Sequence, residues 1–479
     1  MKTKNLHVFR GNVFFTICLF TSISVLFFAC KKSEKDILNS VNTSNPLSNG
    51  PAGSDDGPVK NNRYIIEASK GKSLSDIVSD AQAEGATVIR VQRQLGFVVV
   101  ESTASGFLSA MGSKASVGTI TPSYDVKWTP STNPHELDKS RITIPKSHIT
   151  NTNPFFPLQW SHLAINTHDA WARGQKGNGA RVAVVDGGFF PNHPDIINNV
   201  NLVLSRNFVV GETLEQAYDD FGHGTHCAGI IAAEDNDIGT VGVAPEAELI
   251  LVKVLADAGY GSFEDVCAGI VYAADQGVDI ISMSLGAEIP RTWKGENVNE
   301  TRYIRDLINF VKRAVSYATD HGVTVIVAAG NSGINPTASG FLASPVGAPG
   351  SLGVSALGPR GWGLNPLTNL DEVASYTNYG TDIVEFSGSG GDFTQYPNEL
   401  WFLDLVLSTS GAADYYFAAG TSMATPQVAG VAALIVGKYG KMKPAQLKTK
   451  LIGCVDDLGA VGRDAYYGHG RINAEKATR

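Results

Sequence analysis

Beyond Trp160 the chain alternates short apolar runs with segments whose apolar residues recur at helical spacing. Runs at 181–185, 249–254, 278–282, 323–328 and 352–356 read as strands. Segments 223–233, 263–276, 303–320 and 422–438 read as the helices between or after them. Alternation of this kind predicts an α/β domain over 156–479, a mostly parallel sheet with helices on both faces. Ligands of such sheets sit at the carboxyl ends of the strands, so unusual polar residues are to be sought there.

The upstream pattern is different. Tyr64-Ile65-Ile66 reads as a strand, and Ser73 caps a helical segment with Leu74, Ile77, Val78 and Ala81 before Gly85. Strands at 88–91 and 96–100, a short helix near 105–111 and an extended stretch near 118–124 complete a β-α-β-β-α-β order. That order predicts a small α+β, ferredoxin-like domain over 63–124. Residues 125–155, with Pro130, Pro134, Pro145 and Pro154, read as an exposed connection open to proteolysis.

The N-terminus carries Lys2, Lys4 and Arg10, then a run from Val13 to Ala29 broken only by Thr16, Thr21, Ser22 and Ser24, and stops at Cys30. A basic start, an apolar stretch and a small residue at its end predict a secretory signal over 1–29. Val25-Leu26-Phe27-Phe28-Ala29-Cys30 resembles a bacterial lipobox, with Phe27 where leucine is usual. The resemblance implies an acylated Cys30, a polar tether over 30–62 and an exported lipoprotein anchored to a membrane of the bacterial cell envelope, whose catalytic domain is open to release. An uncleaved membrane helix is the alternative. No later run has comparable length and apolarity, so the remainder is expected to be soluble.

Composition narrows the function classes. A net charge of −8, from 38 basic and 46 acidic residues, argues against nucleic acid as a partner. Five cysteines are too few for a disulfide scaffold in a chain of 479 residues. Fifty-one glycines point to many places where backbone closely approaches backbone or ligand.

Four polar residues stand out, and each has a plain structural reading. Asp186 directly follows Val182-Ala183-Val184-Val185 and precedes Gly187-Gly188, as a turn former does. His223 lies between glycines in Phe221-Gly222-His223-Gly224-Thr225-His226-Cys227, and the spacing of His223 and His226 lacks the four-residue step and glutamate of a zinc helix. Asn331, in Ala329-Gly330-Asn331-Ser332-Gly333, sits in a turn after a strand. Ser422, in Gly420-Thr421-Ser422-Met423-Ala424-Thr425-Pro426, opens an apolar helix, where it serves either as an N-cap or as a nucleophile.

In this order and in these motifs, Asp186, His223, Asn331 and Ser422 resemble the subtilisin-like serine proteases, over about 159–477. The resemblance implies an endopeptidase working through an acyl-enzyme, with Asp186, His223 and Ser422 as its triad, Asn331 in the oxyanion hole and no cofactor for catalysis. Gly259-Tyr260-Gly261 and Ser284-Leu285-Gly286 resemble the two strands that bind substrate backbone and wall the primary pocket. The domain over 63–124 resembles the family's inhibitory propeptide, which implies a zymogen cut by itself within 125–155. Cys227 and Cys267 are expected as core thiols, with Cys454 unassigned. The stretch 233–240 resembles the family's calcium loop. It implies a structural calcium on the side chains of Asp195 and Asn236 and the carbonyls of Glu234, Ile238 and Thr240. Extra residues at 287–302 and 388–401 depart from the pattern near the cleft. The expected partners are protein or peptide substrates, the propeptide and, through lipid, a membrane; the alternative function is a surface binding lipoprotein that has lost turnover.

Overall fold

The structure, a computed structural model, describes residues 59–129, 134–138, 151–215, 221–256, 259–291 and 298–479. The expected signal, Cys30 and nearly all of the tether lie outside the described residues. So do 130–133 and 139–150 of the expected connection. Among the described residues no helix is long and apolar enough to cross a membrane.

The N-terminal unit runs β1 (Val59–Ala68), α1 (Leu74–Ala83), β2 (Thr87–Gln92), β3 (Phe97–Glu101), α2 (Phe107–Gly112) and β4 (Val117–Lys127). Ser73 caps α1: its hydroxyl accepts from the Asp76 N–H at 3.2 Å while Asp76 accepts from the Ser73 N–H at 2.9 Å. Ile66, Val98 and Val100 on one face of the sheet pack with Ile77 and Met111 in a small core. The alternate residues Ile65, Phe97 and Val99 face the other way, into a core shared with the large domain, where the rings of Phe97 and Phe310 lie 5.2 Å apart. Each such fully buried side chain contributes roughly 1.5–3 kcal/mol to holding the two units together. The strand β4 continues three residues past its expected end at Tyr124, because a partner strand from the large domain supports it there.

Beyond β5 (His135–Glu136) the large domain comprises α3 (Trp160–Ile165), α4 (Thr167–Ala172), β6 (Arg181–Asp186), β7 (Arg206–Asn207), α5 (His223–Ala232), β8 (Glu248–Lys253), β9 (Tyr260–Ser262) and α6 (Phe263–Asp275). It continues with β10 (Ile280–Met283), β11 (Ala287–Pro290), α7 (Val298–Asp320), β12 (Thr324–Ala328), β13 (Phe341–Ser344), β14 (Ser351–Leu357) and β15 (Phe386–Ser389). The last elements are β16 (Val406–Ser410), β17 (Asp414–Ala418), α8 (Thr421–Tyr439), α9 (Pro444–Ile452), β18 (Val455–Asp456), β19 (Arg471–Ile472) and α10 (Ala474–Ala477). The main sheet has the order β18-β19-β15-β14-β12-β10-β6-β8-β7, and all its pairings are parallel except β18 with β19. The expected α/β architecture is therefore found.

Both faces of this sheet are dry, which accounts for the unbroken apolar runs. Val182 and Val184 of β6 pack on one side with Trp160, Ile231 and Leu434. Ala183 and Val185 pack on the other with Val266, Ile270 and Val311. The same alternation holds in β8, Leu249 and Leu251 against Ile250 and Val252. The helix α8 is apolar on all sides, and every residue from Thr421 to Val436 is buried, as befits a helix running through the middle of a core.

Candidate active site

Asp186 ends β6 at the carboxyl edge of the sheet and is fully buried. Its Oδ1 accepts from the Gly187 N–H at 2.7 Å and from His223 Nδ1 at 2.8 Å. Accepting from Nδ1 fixes the tautomer of the ring, so Nε2 is the nitrogen able to take a proton. Lys253, also buried, donates to the carbonyls of Gly187 at 2.8 Å and Leu255 at 2.7 Å and pairs with Glu212 at 3.0 Å, which pins the turn after Asp186. The sequence places this lysine in the matching motif Val252-Lys253-Val254-Leu255 but gives it no role.

His223 opens α5, and the glycines around it have steric work. Gly222 has φ +65°, and a Cβ there would meet the Phe190 ring at 2.8 Å; a Cβ on Gly224 would strike the Gly188 carbonyl. One turn along the helix, the Cys227 Sγ lies within 4.8 Å of both the Asp186 and His223 ligand atoms. The same sulfur donates to the Ser422 carbonyl at 3.5 Å, so Ser422 belongs to this centre. Burial, with the charge of Asp186 adding to it, pushes the Cys227 thiol well above its ordinary range. A thiol so held is a poor nucleophile.

The Ser422 carbonyl is free to accept because Pro426, four residues on, has no N–H to complete the helical bond. Ser284 Oγ takes the place of that donor at 2.8 Å, while Ser422 Oγ donates back to the Ser284 carbonyl at 3.1 Å. Asn331 lies alongside. Its Oδ1 accepts from the Thr421 N–H at 2.9 Å and the Thr421 hydroxyl at 2.7 Å. Two donors on Oδ1 orient the amide, turning its NH₂ toward the serine loop, 3.1 Å from where a Gly420 Cβ would stand. His226 does not join His223 in a metal pair. Its Nε2 bonds the Tyr416 carbonyl at 2.9 Å, and burial lowers its pKa to about 3, so the ring is neutral.

Gly259-Tyr260-Gly261 and Ser284-Leu285-Gly286 both contact the end of β4 and the residue after it. Val126 and Lys127 pair antiparallel with Gly261 and Tyr260. The Trp128 N–H donates to the Gly259 carbonyl at 3.0 Å, and its carbonyl accepts from the Gly286 N–H at 2.8 Å. The Trp128 indole is fully buried, donating to the Gly261 carbonyl at 2.8 Å and packing edge-on to Phe263 at 5.0 Å. A few residues further, His135 and Glu136 pair antiparallel with Phe417 and Tyr416 of β17, the strand that leads into Gly420-Thr421-Ser422. Of the two insertions, 287–302 supplies β11, paired with β13, and the start of α7, with 292–297 outside the described residues. The other insertion flanks β16.

The calcium expectation falls on a loop with unsatisfied oxygens. Asp195 is buried, and its Oδ2 accepts from the Thr240 N–H at 2.8 Å and hydroxyl at 3.0 Å, whereas its Oδ1 is buried without a partner. Burial raises the Asp195 carboxyl to about 7. Asn236 bonds the same carboxylate, and the Glu234 side chain turns away to Asn198, leaving only the Glu234 carbonyl for a cation. Asn153, which sequence reading missed, donates to Asp235 at 2.7 Å and holds a second buried oxygen, its Oδ1, without a partner. An orphaned carboxylate oxygen beside amide and carbonyl oxygens fits a hard cation. Cys227, Cys267 and Cys454 are free thiols.

Residues 177–470 match the subtilase family, peptidase S8. The chain is 33% identical over 322 residues to Subtilisin Savinase of Lederbergia lenta, covering 67% of this chain and 99% of that one. It is 32% identical over 332 residues to Thermitase of Thermoactinomyces vulgaris, covering 69% and 99%. In fold it is similar to the epidermin leader peptide processing serine protease of Staphylococcus aureus, with a TM-score of 0.68 at 21% identity over 88% of this chain and 98% of that one. Fervidolysin of Fervidobacterium pennivorans gives a TM-score of 0.66 at 24% identity over 88% and 61%. With the family matched across most of the large domain, this chain belongs to the subtilases and is a serine endopeptidase.

Proposed function

We propose that the chain is an exported endopeptidase made as a zymogen, with Asp186, His223 and Ser422 as its triad. The observation that carries this reading is the polypeptide strand already in the cleft. Residues 126–128 pair with Gly259-Tyr260-Gly261 and bond Gly286 on one side of Ser422, and residues 135–137 pair with β17 on the other. A site that binds extended backbone on both sides of a serine is built to cut a peptide bond between them.

His223 Nε2 takes the Ser422 hydroxyl proton as Oγ attacks the scissile carbonyl, and Asp186 holds the Nδ1–H and stabilises the imidazolium. The oxyanion of the tetrahedral intermediate lies between the Asn331 NH₂ and the Ser422 N–H at the start of α8. Collapse breaks the C–N bond, His223 returns the proton to the leaving amine, and water then hydrolyses the acyl-enzyme by the same route.

The N-terminal unit is the propeptide in this reading, and the bond it presents for cleavage lies between Thr129 and Pro134. Calcium, when bound, supplies charge to neutralise the buried Asp195; Asn236, Asn153 and the carbonyls of Glu234, Ile238 and Thr240 complete the set. Lipid on Cys30 holds the protein at a membrane.

A serine-directed fluorophosphonate applied to the processed protein tests the assignment. Label on Ser422, lost together with peptide cleavage and self-processing in Ser422→Ala, is the expected result. Labelling that survives Ser422→Ala refutes the triad; absence of labelling and cleavage in the wild type returns the binding-lipoprotein alternative.

A further inference from the structure

The segment between β15 and β16, the 388–401 insertion and the turn after it, carries several aromatic residues, and hydrogen bonds and ring contacts anchor it. Asp404 is buried and accepts from the N–H groups of Gly361 at 2.7 Å and Trp362 at 2.6 Å. The Trp160 indole donates to the Leu405 carbonyl at 2.9 Å, and Phe393 stacks on Tyr376 at 5.4 Å. On this anchored base Trp401 and Phe402 form a short turn (Trp401–Asp404) and stay half-exposed. Tyr396 packs edge-on to Trp401 at 5.2 Å, and Phe402 packs on Phe417 of β17 at 5.4 Å. The ring of His135 enters this group, stacked on Phe402 at 4.6 Å and 27° and edge-on to Trp401 at 5.6 Å and 61°.

We propose that Trp401 and Phe402 form a binding site for a planar ring on the leaving-group side of the scissile bond, so that substrates are polypeptides with histidine or an aromatic residue there. The inference rests on the endopeptidase reading above and adds to it a choice of side chain. Backbone pairing with β17 accepts any sequence, so discrimination on this side must come from a side-chain slot. The slot offers one ring face and one ring edge, the two arrangements that aromatic quadrupoles favour. Its walls are ordered by bonds that do not involve the occupant, so little ordering remains to be done on binding. His135 is the occupant supplied by the chain's own connecting segment; once the bond upstream is cut and that segment departs, a substrate takes its place.

The test uses the mature enzyme and synthetic peptides with the sequence of residues 124–140. Three peptides carry the natural His135, His135→Ala or His135→Phe, and a p-nitroanilide substrate has no residues beyond the cut. Products are mapped by mass, and each peptide's kcat/KM is divided by the p-nitroanilide value of the same preparation. The alanine peptide is expected to be cut roughly 2- to 10-fold more slowly than the natural one, and the phenylalanine peptide within about 2-fold of it. In Phe402→Ala with Trp401→Ala the gap between the natural and alanine peptides closes, whereas Phe402→Tyr keeps it. Equal cutting of all three peptides by wild-type enzyme, or a cut outside 129–134, overturns the ring site while p-nitroanilide turnover still supports the peptidase. Failure to cleave any substrate overturns the peptidase reading and the ring site with it.

Discussion

Replacing Arg90 by alanine should loosen the grip between the N-terminal unit and the large domain by a calculable amount. Arg90 Nη1 donates to Asp265 Oδ1 at 2.9 Å and to the Glu264 carbonyl at 3.2 Å, and Nη2 donates to the Phe208 carbonyl at 3.3 Å. Its guanidinium also lies 5.3 Å from the centre of the Phe208 ring. The Asp265 side chain is only 5% exposed, so the pair is largely shielded from water. A hydrogen bond to a charged group contributes about 1.5–3 kcal/mol. Asp265 keeps Arg63 at 3.1 Å and the Ser262 hydroxyl at 2.8 Å, which places this bond near the lower end. With the two carbonyl bonds the loss comes to about 2–4 kcal/mol, or roughly 30- to 1,000-fold in Kd. Lysine keeps the charge but not the fork, so Arg90→Lys should fall between.

On the zymogen reading proposed above, the cut N-terminal unit stays bound without a covalent link, so the onset of peptidase activity on serial dilution would report the Kd. The pH dependence has a definite sign. Burial, with Asp265 adding its charge, raises the Glu264 carboxyl to about 7, while its Oε2 accepts from Ser123 Oγ of β4 at 2.6 Å. Burial is the largest influence and outweighs the Ser123 bond and the Arg63 charge, which pull the other way and are lost on release; release rehydrates Glu264 and lowers its pKa, so the bound state holds the proton more firmly. The complex is then tightest in acid and loosens as pH rises through about 7. A dilution midpoint unmoved by Arg90→Ala, or one showing tighter binding at higher pH, would refute this account.

Asn331→Leu should lower kcat by about 10²–10³ with little change in KM, measured on a peptide anilide, because it removes the proposed oxyanion donor. Calcium should raise the Tm of the Ser422→Ala protein and a chelator lower it, with the response reduced in Asn153→Ala. Without calcium, the raised pKa of Asp195 makes its contribution to stability full in acid and lost as pH rises through about 7; calcium should flatten that slope in a denaturant titration. Cys30→Ser should free the protein from the membrane fraction or block signal removal, and continued anchoring with normal processing would count against lipid attachment.

Residues whose chemistry depends on their immediate neighbours were legible in the chain itself. Asp186 after four apolar residues, His223 between glycines and Ser422 at the head of an apolar helix carry their setting with them. Local backbone conformation prescribes where each points, so the motifs could be read before any contact was known. The parallel sheet was legible for a related reason: burial on both faces writes itself into every position of a strand.

What only the tertiary structure decided are meetings between distant residues. Arg63 and Arg90 lie 202 and 175 positions from the Asp265 they hold. Nothing in Trp128 marks it as the residue seated between Gly259-Tyr260-Gly261 and Gly286, and β4 reaches Lys127 because β9 offers backbone partners, which local propensity does not register. Asn153 read as one more loop asparagine, Trp401 as the last residue of an unusual loop, and Phe402 carried no reading at all. Sequence determines which faces are apolar and which turns are tight; which of those faces meet is settled by the packing of the whole chain, since long-range contacts depend on surfaces that exist only after the layers have assembled.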